Sequence, residues 1–173
     1  MPRVPYCKEV DLPASNRDLF EKIRCRQSSV TNLARALAHV PQVLEDRFVY
    51  SGSLRKNTVV DPRYRELAIL TVGKITKSSY EVHHHTKPAL QAGLSMQQIE
   101  AIGSITASSL FDERDCAIIK FATDLTRDVS CSDETWRKLA DFLSVPQLVE
   151  LTLLVGWYNQ TVRVLAALQI DVE

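Results

Sequence analysis

Asp61-Pro62-Arg63-Tyr64-Arg65-Glu66-Leu67-Ala68-Ile69-Leu70-Thr71-Val72-Gly73-Lys74-Ile75 is the stretch whose reading decides the fold. Asp61 followed by Pro62 is a helix start, an N-cap with proline at the first helical position. From Arg65 to Ile75, Leu67, Ala68, Ile69, Leu70, Val72 and Ile75 cover most of a helix circumference. A helix that is apolar nearly all round belongs at the centre of its domain. One residue breaks the pattern. Glu66 lies directly before this segment and has to be accommodated with it.

The next segment, after Lys77-Ser78-Ser79, reads as a helix reaching Ala92 and stopping at Gly93, a left-handed C-cap. Projected at 100° per residue, Ser78, Glu81, Val82, His85, Ala89 and Ala92 share one stripe, with His84, Lys87 and Gln91 opposite. The stripe is small and apolar except for Glu81 and His85, four residues apart, which therefore point inward together. The short Thr76–Ser79 connection makes the two helices antiparallel neighbours, so Glu66, Glu81 and His85 can meet. Pro88 removes the bond to the His84 carbonyl and is expected to kink the helix one turn after His85.

Outward from this pair, every signal is helical. Ser15–Asp18 opens a helix to about Arg26, Val30, Leu33, Leu37 and Val40 form one stripe of a second, and Pro41 starts a third reaching about Tyr50. Gly52, Ser53 and Asn57 make Ser51–Val60 read as a loop. Ser95-Met96-Gln97-Gln98 is a capping-box pattern, Asp112 and Ser132 cap two further helices, and Ser144-Val145-Pro146-Gln147 opens a long last one. No run alternates with period two. The expectation is an all-α protein, a single-domain helical bundle of eight or nine helices.

Composition agrees. The 173 residues include only 5 Gly and 7 Pro, fewer than the roughly 12% of an average chain, which favours long helices with short connections. Twenty-one basic residues balance 21 acidic ones, which argues against a nucleic-acid binder working through bulk positive charge. Met1–Leu12 lacks an apolar signal core, and Leu148–Ile170 is interrupted by Glu150, Asn159, Gln160 and Arg163, so neither a secretory signal nor a membrane span is expected. The four cysteines (Cys7, Cys25, Cys116, Cys131) show no Cys-x-x-Cys or zinc spacing. A cytoplasmic protein with reduced thiols is expected.

A carboxylate and an imidazole brought into a core must pair or hydrogen-bond. Glu66, Glu81 and His85 therefore form either a satisfied cluster that staples two helices or an acid–base site, since carboxylates beside an imidazole can raise its basicity and fix one tautomer. His83-His84-His85 diverge by 100° each and cannot ligate one ion together, although Glu66, Glu81 and His85 have a donor set that several metals accept. Arg63 and Arg65 read as salt-bridged or solvated. Trp157, Tyr158 and Arg163 read either as pocket wall and anion clamp or as core aromatics with a surface arginine. Ser78 reads as a helix-start residue, and Cys116 and Cys131 lack activating neighbours.

Arg63-Tyr64-Arg65-Glu66-Leu67-Ala68-Ile69-Leu70, Tyr80-Glu81-Val82-His83-His84-His85 and Ala89-Leu90-Gln91-Ala92-Gly93-Leu94-Ser95 with Ile99 resemble the carboxymuconolactone decarboxylase family, which includes the alkyl hydroperoxidase D-like proteins. The resemblance is specific over Asp61–Ile102 and looser over Val30–Arg163. It implies an alkyl hydroperoxidase D-like fold, a family core of about residues 30–165 preceded by an extension, 1–29, and a homotrimer or homohexamer. In the hydroperoxidase branch a Glu precedes a Cys-x-x-Cys by twelve residues and a His follows the second Cys by four. At that spacing Glu66 and His85 match, Ser78 and Glu81 stand where the two sulfurs would be, and Tyr80 takes the place of a second relay His. The resemblance thus implies the Tyr-Glu-x-x-x-His subgroup, without dithiol peroxidase chemistry.

The functional expectation is a lyase-like enzyme acting on a small carboxylic acid or lactone by decarboxylation, lactone opening or isomerisation, with no cofactor and no metal. His85, Glu81 and Glu66 are the expected catalytic residues. Tyr80, Ser78, Tyr158 and Arg163 are the expected substrate-binding residues, Arg163 as an anion anchor. The alternatives are a residual peroxidase using Cys116 or Cys131 and a non-catalytic oligomeric ligand-binding protein.

Overall fold

The computed structural model describes all residues except 28, 57 and 104–106, together with the side chains of all of these but 26, 107 and 108. It contains nine α-helices and no strand among the described residues: α1 (Leu19–Arg26), α2 (Asn32–Leu37), α3 (Pro41–Lys56), α4 (Pro62–Ile75), α5 (Ser79–Gln91), α6 (Met96–Ala101), α7 (Glu113–Arg127), α8 (Asp133–Ala140) and α9 (Val145–Leu168). The helices fall into two compact units, Met1–Asn57 with Leu165–Glu173, and Thr58–Val164.

In the first unit, Phe20, Ile23, Leu19, Val30, Ala34 and Leu44 form the core with Cys7 and Leu12. The N-terminal segment is held to the C-terminal segment, with the Arg3 amide donating to the Leu168 carbonyl and the Asp171 amide to the Tyr6 hydroxyl. Two expectations are corrected here. α1 begins only at Leu19, after a 3-10 turn at Ala14–Asn16; Asp18 makes an ion pair with Lys22 at 3.0 Å instead of capping. Residues 51–56, expected as loop, continue α3. Leu44, Ser51 and Leu54 are buried at i, i+7 and i+10, one helical face. Arg55 donates from Nε to the Ser51 carbonyl at 3.3 Å, and a Cβ at Gly52 would point into open space. Asn57, part of the same expected loop, lies outside the described residues.

The second unit is organised around α4. Asp61 accepts from the Arg63 amide, Pro62 occupies the first turn, and all residues from Glu66 to Gly73 are buried. α4 packs against α5 and α7, and α7 against α8. Gly73 meets Glu81 and Val82 while Glu66 meets His85, so α4 and α5 run antiparallel. The approach is close. A Cβ at position 73 would lie 3.3 Å from Glu81 Cβ. Arg63 pins α4 to α7 by a two-pronged pair with Asp115, Nε–Oδ1 3.1 Å and Nη2–Oδ2 2.5 Å, and its Nη1 donates to the Gly93 carbonyl at 2.9 Å. Glu150 on α9 accepts from the Val59 and Val60 amides and from the Thr58 hydroxyl, which fixes the entry to α4.

Four further caps read from local sequence are present. Ser78 accepts from the Glu81 amide, Ser95 and Gln98 form a reciprocal capping box, and Asp112 and Ser132 cap α7 and α8. α5 continues as helix through Pro88. After α5, Gly93 adopts φ +87°, a conformation that costs an L-residue about 1–2 kcal/mol. A Cβ there would touch nothing, so Gly93→Ala is expected to destabilise by about 1 kcal/mol through the backbone alone, read as a shifted denaturant midpoint with an unchanged slope. No helix among the described residues is long and apolar enough to cross a membrane.

Candidate active site

The inward stripe of α5 delivers Glu81 and His85 against α4, and both are buried, as is Glu66. His85 Nδ1 lies 2.7 Å from Glu66 Oε2. The other ring nitrogen, Nε2, lies 3.0 Å from the Tyr158 hydroxyl of α9 and 3.6 Å from Glu81 Oε2. The Tyr158 and His85 rings meet edge to face at 5.1 Å. Glu66 Oε1 accepts from Arg65 Nε at 3.3 Å. The side chains thus form a line, Arg65–Glu66–His85–Tyr158, with Glu81 flanking its far end.

Burial pushes the Glu66 carboxyl up, but the hydrogen bond and charge of His85, and then the charge and hydrogen bond of Arg65, outweigh it. The net effect holds Glu66 below the ordinary carboxylate value, so it is an anion and can only accept. Hydrogen-bond logic then puts a proton on His85 Nδ1. In the neutral ring Nε2 is left as the acceptor of the Tyr158 hydroxyl. A base whose remote nitrogen is tied to a carboxylate is oriented and fixed in one tautomer.

The other expected substrate-binding residues are Tyr80, Ser78 and Arg163. Tyr80 is buried, with its ring 4.4 Å from that of His84. Ser78 serves as the N-cap of α5. Arg163, expected as anion anchor, donates from Nη1 to the Asn159 carbonyl at 2.6 Å and to Asn159 Oδ1 at 2.9 Å. It lines a groove with Leu125, Val129 and Gly156. Five positions along α9 turn it about 140° away from Tyr158, so the two do not share a face. Sequence reasoning passes over Arg65, which with Arg63 reads as salt-bridged or solvated. The signal was its adjacency to a carboxylate at the edge of the most buried segment.

Glu66 and Glu81 approach opposite nitrogens of the same imidazole, so the three do not converge on one point. Among the described residues no group of three or more His, Cys, Asp or Glu is arranged to hold a metal ion. Cys116 lines a groove of about 930 Å³ along α7 and α8. Burial and then Asp115, Asp112 and Glu113 push its thiol up. Burial and Asp124 do the same for Cys131.

A sequence model of the carboxymuconolactone decarboxylase family matches residues 41–124. No curated protein sequence matches the chain. Among solved structures, an uncharacterized peroxidase-related protein with an alkylhydroperoxidase AhpD core from Ralstonia eutropha JMP134 is 15% identical, with a TM-score of 0.83 over 99% of this chain and 92% of that one. A peroxidase-related protein from Silicibacter sp. TM1040 is 19% identical, with a TM-score of 0.82 over 98% and 91%. The debrominase Bmp8, solved as a cysteine-to-alanine variant with 2,3,4-tribromopyrrole, is 14% identical, with a TM-score of 0.80 over 98% and 91%. Likeness at these identities concerns the fold. Residues 41–124 are similar in sequence to the carboxymuconolactone decarboxylase family, and the chain has the all-helical alkylhydroperoxidase D-like fold.

Proposed function

We propose that the protein is an acid–base enzyme acting on a small carbonyl compound or lactone, by decarboxylation, lactone opening or isomerisation. The observation that carries this reading is the buried line from Glu66 through His85 to Tyr158. His85 is the general acid/base, working at Nε2. Glu66 orients it and stabilises its protonated form. Tyr158 holds Nε2 until a substrate displaces its hydroxyl, then donates a hydrogen bond to the oxygen that gains charge. Glu81, 3.6 Å from Nε2, stabilises the imidazolium that forms on proton abstraction. Each role is a proton held or moved at a named atom, of the kind that contributes about 10²–10⁴-fold to a rate.

A thiol peroxidase finds less support. It needs a nucleophilic thiolate, and Cys116 and Cys131 are both pushed towards the thiol by burial and by neighbouring carboxylates.

The experiment is ¹⁵N NMR of the His85 ring across pH, alone and with a panel of small lactones and carboxylic acids. The neutral ring is expected to carry its proton on Nδ1, and one compound class is expected to move its signals. Tyr158→Phe, which removes one hydroxyl, is expected to slow turnover of that class about 10²-fold with unchanged far-ultraviolet circular dichroism. A proton on Nε2, or a ring indifferent to every compound, would leave the cluster as a helix staple and nothing more.

A further inference from the structure

Arg65 is the fourth residue of α4, and only 14% of its side chain is exposed. A guanidinium carries five N–H donors. The one on Nε goes to Glu66 Oε1. The remaining four, on Nη1 and Nη2, have no partner among the described residues. Neighbouring Arg63 is different, with Nε, Nη1 and Nη2 all engaged by Asp115 and Gly93.

No fully buried side-chain nitrogen or oxygen among the described residues lacks a hydrogen-bond partner. The Nη atoms of Arg65, being without one, therefore open to the outside of the chain. A guanidinium with its stem covered, one edge fixed by a carboxylate and its fork open is preorganised for a second planar oxyanion. The covering also lowers the screening that makes exposed pairs weak. Arg163, by contrast, already spends its Nη1 on Asn159.

We infer that the open fork of Arg65 is a binding site for a small carboxylate or oxyanion, and that its occupancy is electrically coupled to His85. This rests on the reading of His85 as the acid–base group. The coupling runs through Glu66. Arg65 shares its charge between Glu66 and the incoming anion, so an occupied fork leaves Glu66 freer to stabilise a protonated His85. By reciprocity, a protonated His85 favours the anion by the same factor. The other polar groups facing His85 are Glu81 from its own helix and Tyr158 from α9. The anion is either free in solution or the carboxylate of the substrate itself. The chemistry of recognition is shared.

The test is an NMR titration of the full chain with sodium acetate at constant ionic strength, following the Arg65 Nε–H and the His85 ring. Saturable shifts of both signals are expected, with acetate binding about 5-fold or more tighter when His85 is protonated than when it is neutral. Arg65→Met should abolish saturation, Arg65→Lys, which keeps the charge without the fork, should weaken it, and Arg163→Met should leave it unchanged. 4-Oxopentanoate binding at least about tenfold tighter than acetate assigns the anion to the substrate, and equal binding assigns it to a free anion. Shifts that never saturate, or that persist in both Arg65 variants, overturn the site. Equal binding of 4-oxopentanoate and its methyl ester does so too. Binding that leaves His85 unmoved overturns the coupling. All of these leave the Nδ1 tautomer in place. A proton found on Nε2 without any anion would instead remove the acid–base reading.

Discussion

Glu66→Gln is expected to lower turnover of an acid–base substrate about 10²–10⁴-fold while leaving the fold intact. The amide has nearly the shape of the carboxylate but can present an N–H to His85 Nδ1. It then favours the opposite tautomer, with the proton on Nε2, and a ring protonated there cannot act as a base. It also removes the charge that stabilises the imidazolium. Single-turnover kinetics with a substrate found by the His85 screen measure the loss, and the ring ¹⁵N pattern shows its cause. An unchanged rate would rule out an orienting role for Glu66.

The same substitution carries a stability signature with a definite sign. The carboxyl of Glu66 is held below its ordinary value of 4.5 in the folded protein. Its stabilisation is therefore fully present above the unfolded value and is lost as pH falls through the lower folded one. The wild-type protein should lose stability over that acid window more steeply than Glu66→Gln. The two unfolding curves should approach each other as the pH drops. Parallel curves would mean that the carboxylate gains nothing from Arg65 and His85.

Arg63→Met is expected to cost about 3–5 kcal/mol, the range for stripping one partner from a buried ion pair. Asp115 has only 2% of its side chain exposed and is gripped by both Nε and Nη2 of Arg63. Without the guanidinium its charge stays desolvated inside the α4–α7 contact. The reverse change, Asp115→Leu, should cost less, because 26% of the Arg63 side chain already reaches solvent. The double variant should recover part of the loss, since two apolar side chains leave no charge behind. Urea unfolding of the four proteins closes the cycle. Additive single effects would mean that the pair has no coupling energy.

What could be read from the sequence was whatever is decided within a helical turn or two. Asp61 with Pro62, Ser78, Ser95 with Gln98, Asp112 and Ser132 all cap where their local chemistry says, because a cap is a contact between residues two or three apart. The nearly all-apolar circumference of residues 67–75 placed α4 at the centre of its unit. The four-residue spacing of Glu81 and His85 put them on one buried face, and a short turn brought Glu66 to meet them. The misreading at residues 51–56 is also local in origin. Gly52 and Ser53 are turn-forming types, yet the buried Leu44, Ser51 and Leu54 face and the Arg55–Ser51 bond hold α3 together.

The tertiary structure decided the rest, because it depends on residues far apart in the chain. Tyr158 reaches His85 across 73 positions, and no periodicity states which aromatic residue of α9 faces α5. Which cation joins the site was equally open, since Arg63, Arg65 and Arg163 all lie in or beside apolar helices. Packing of α4 against α7 gave Arg63 to Asp115, the turn of α9 gave Arg163 to Asn159, and Arg65 was left beside Glu66 with its fork open. Helix periodicity fixes which face a side chain occupies. Only the packing of one helix on another fixes what that face meets, and a charge takes its partner, and its chemistry, from that meeting.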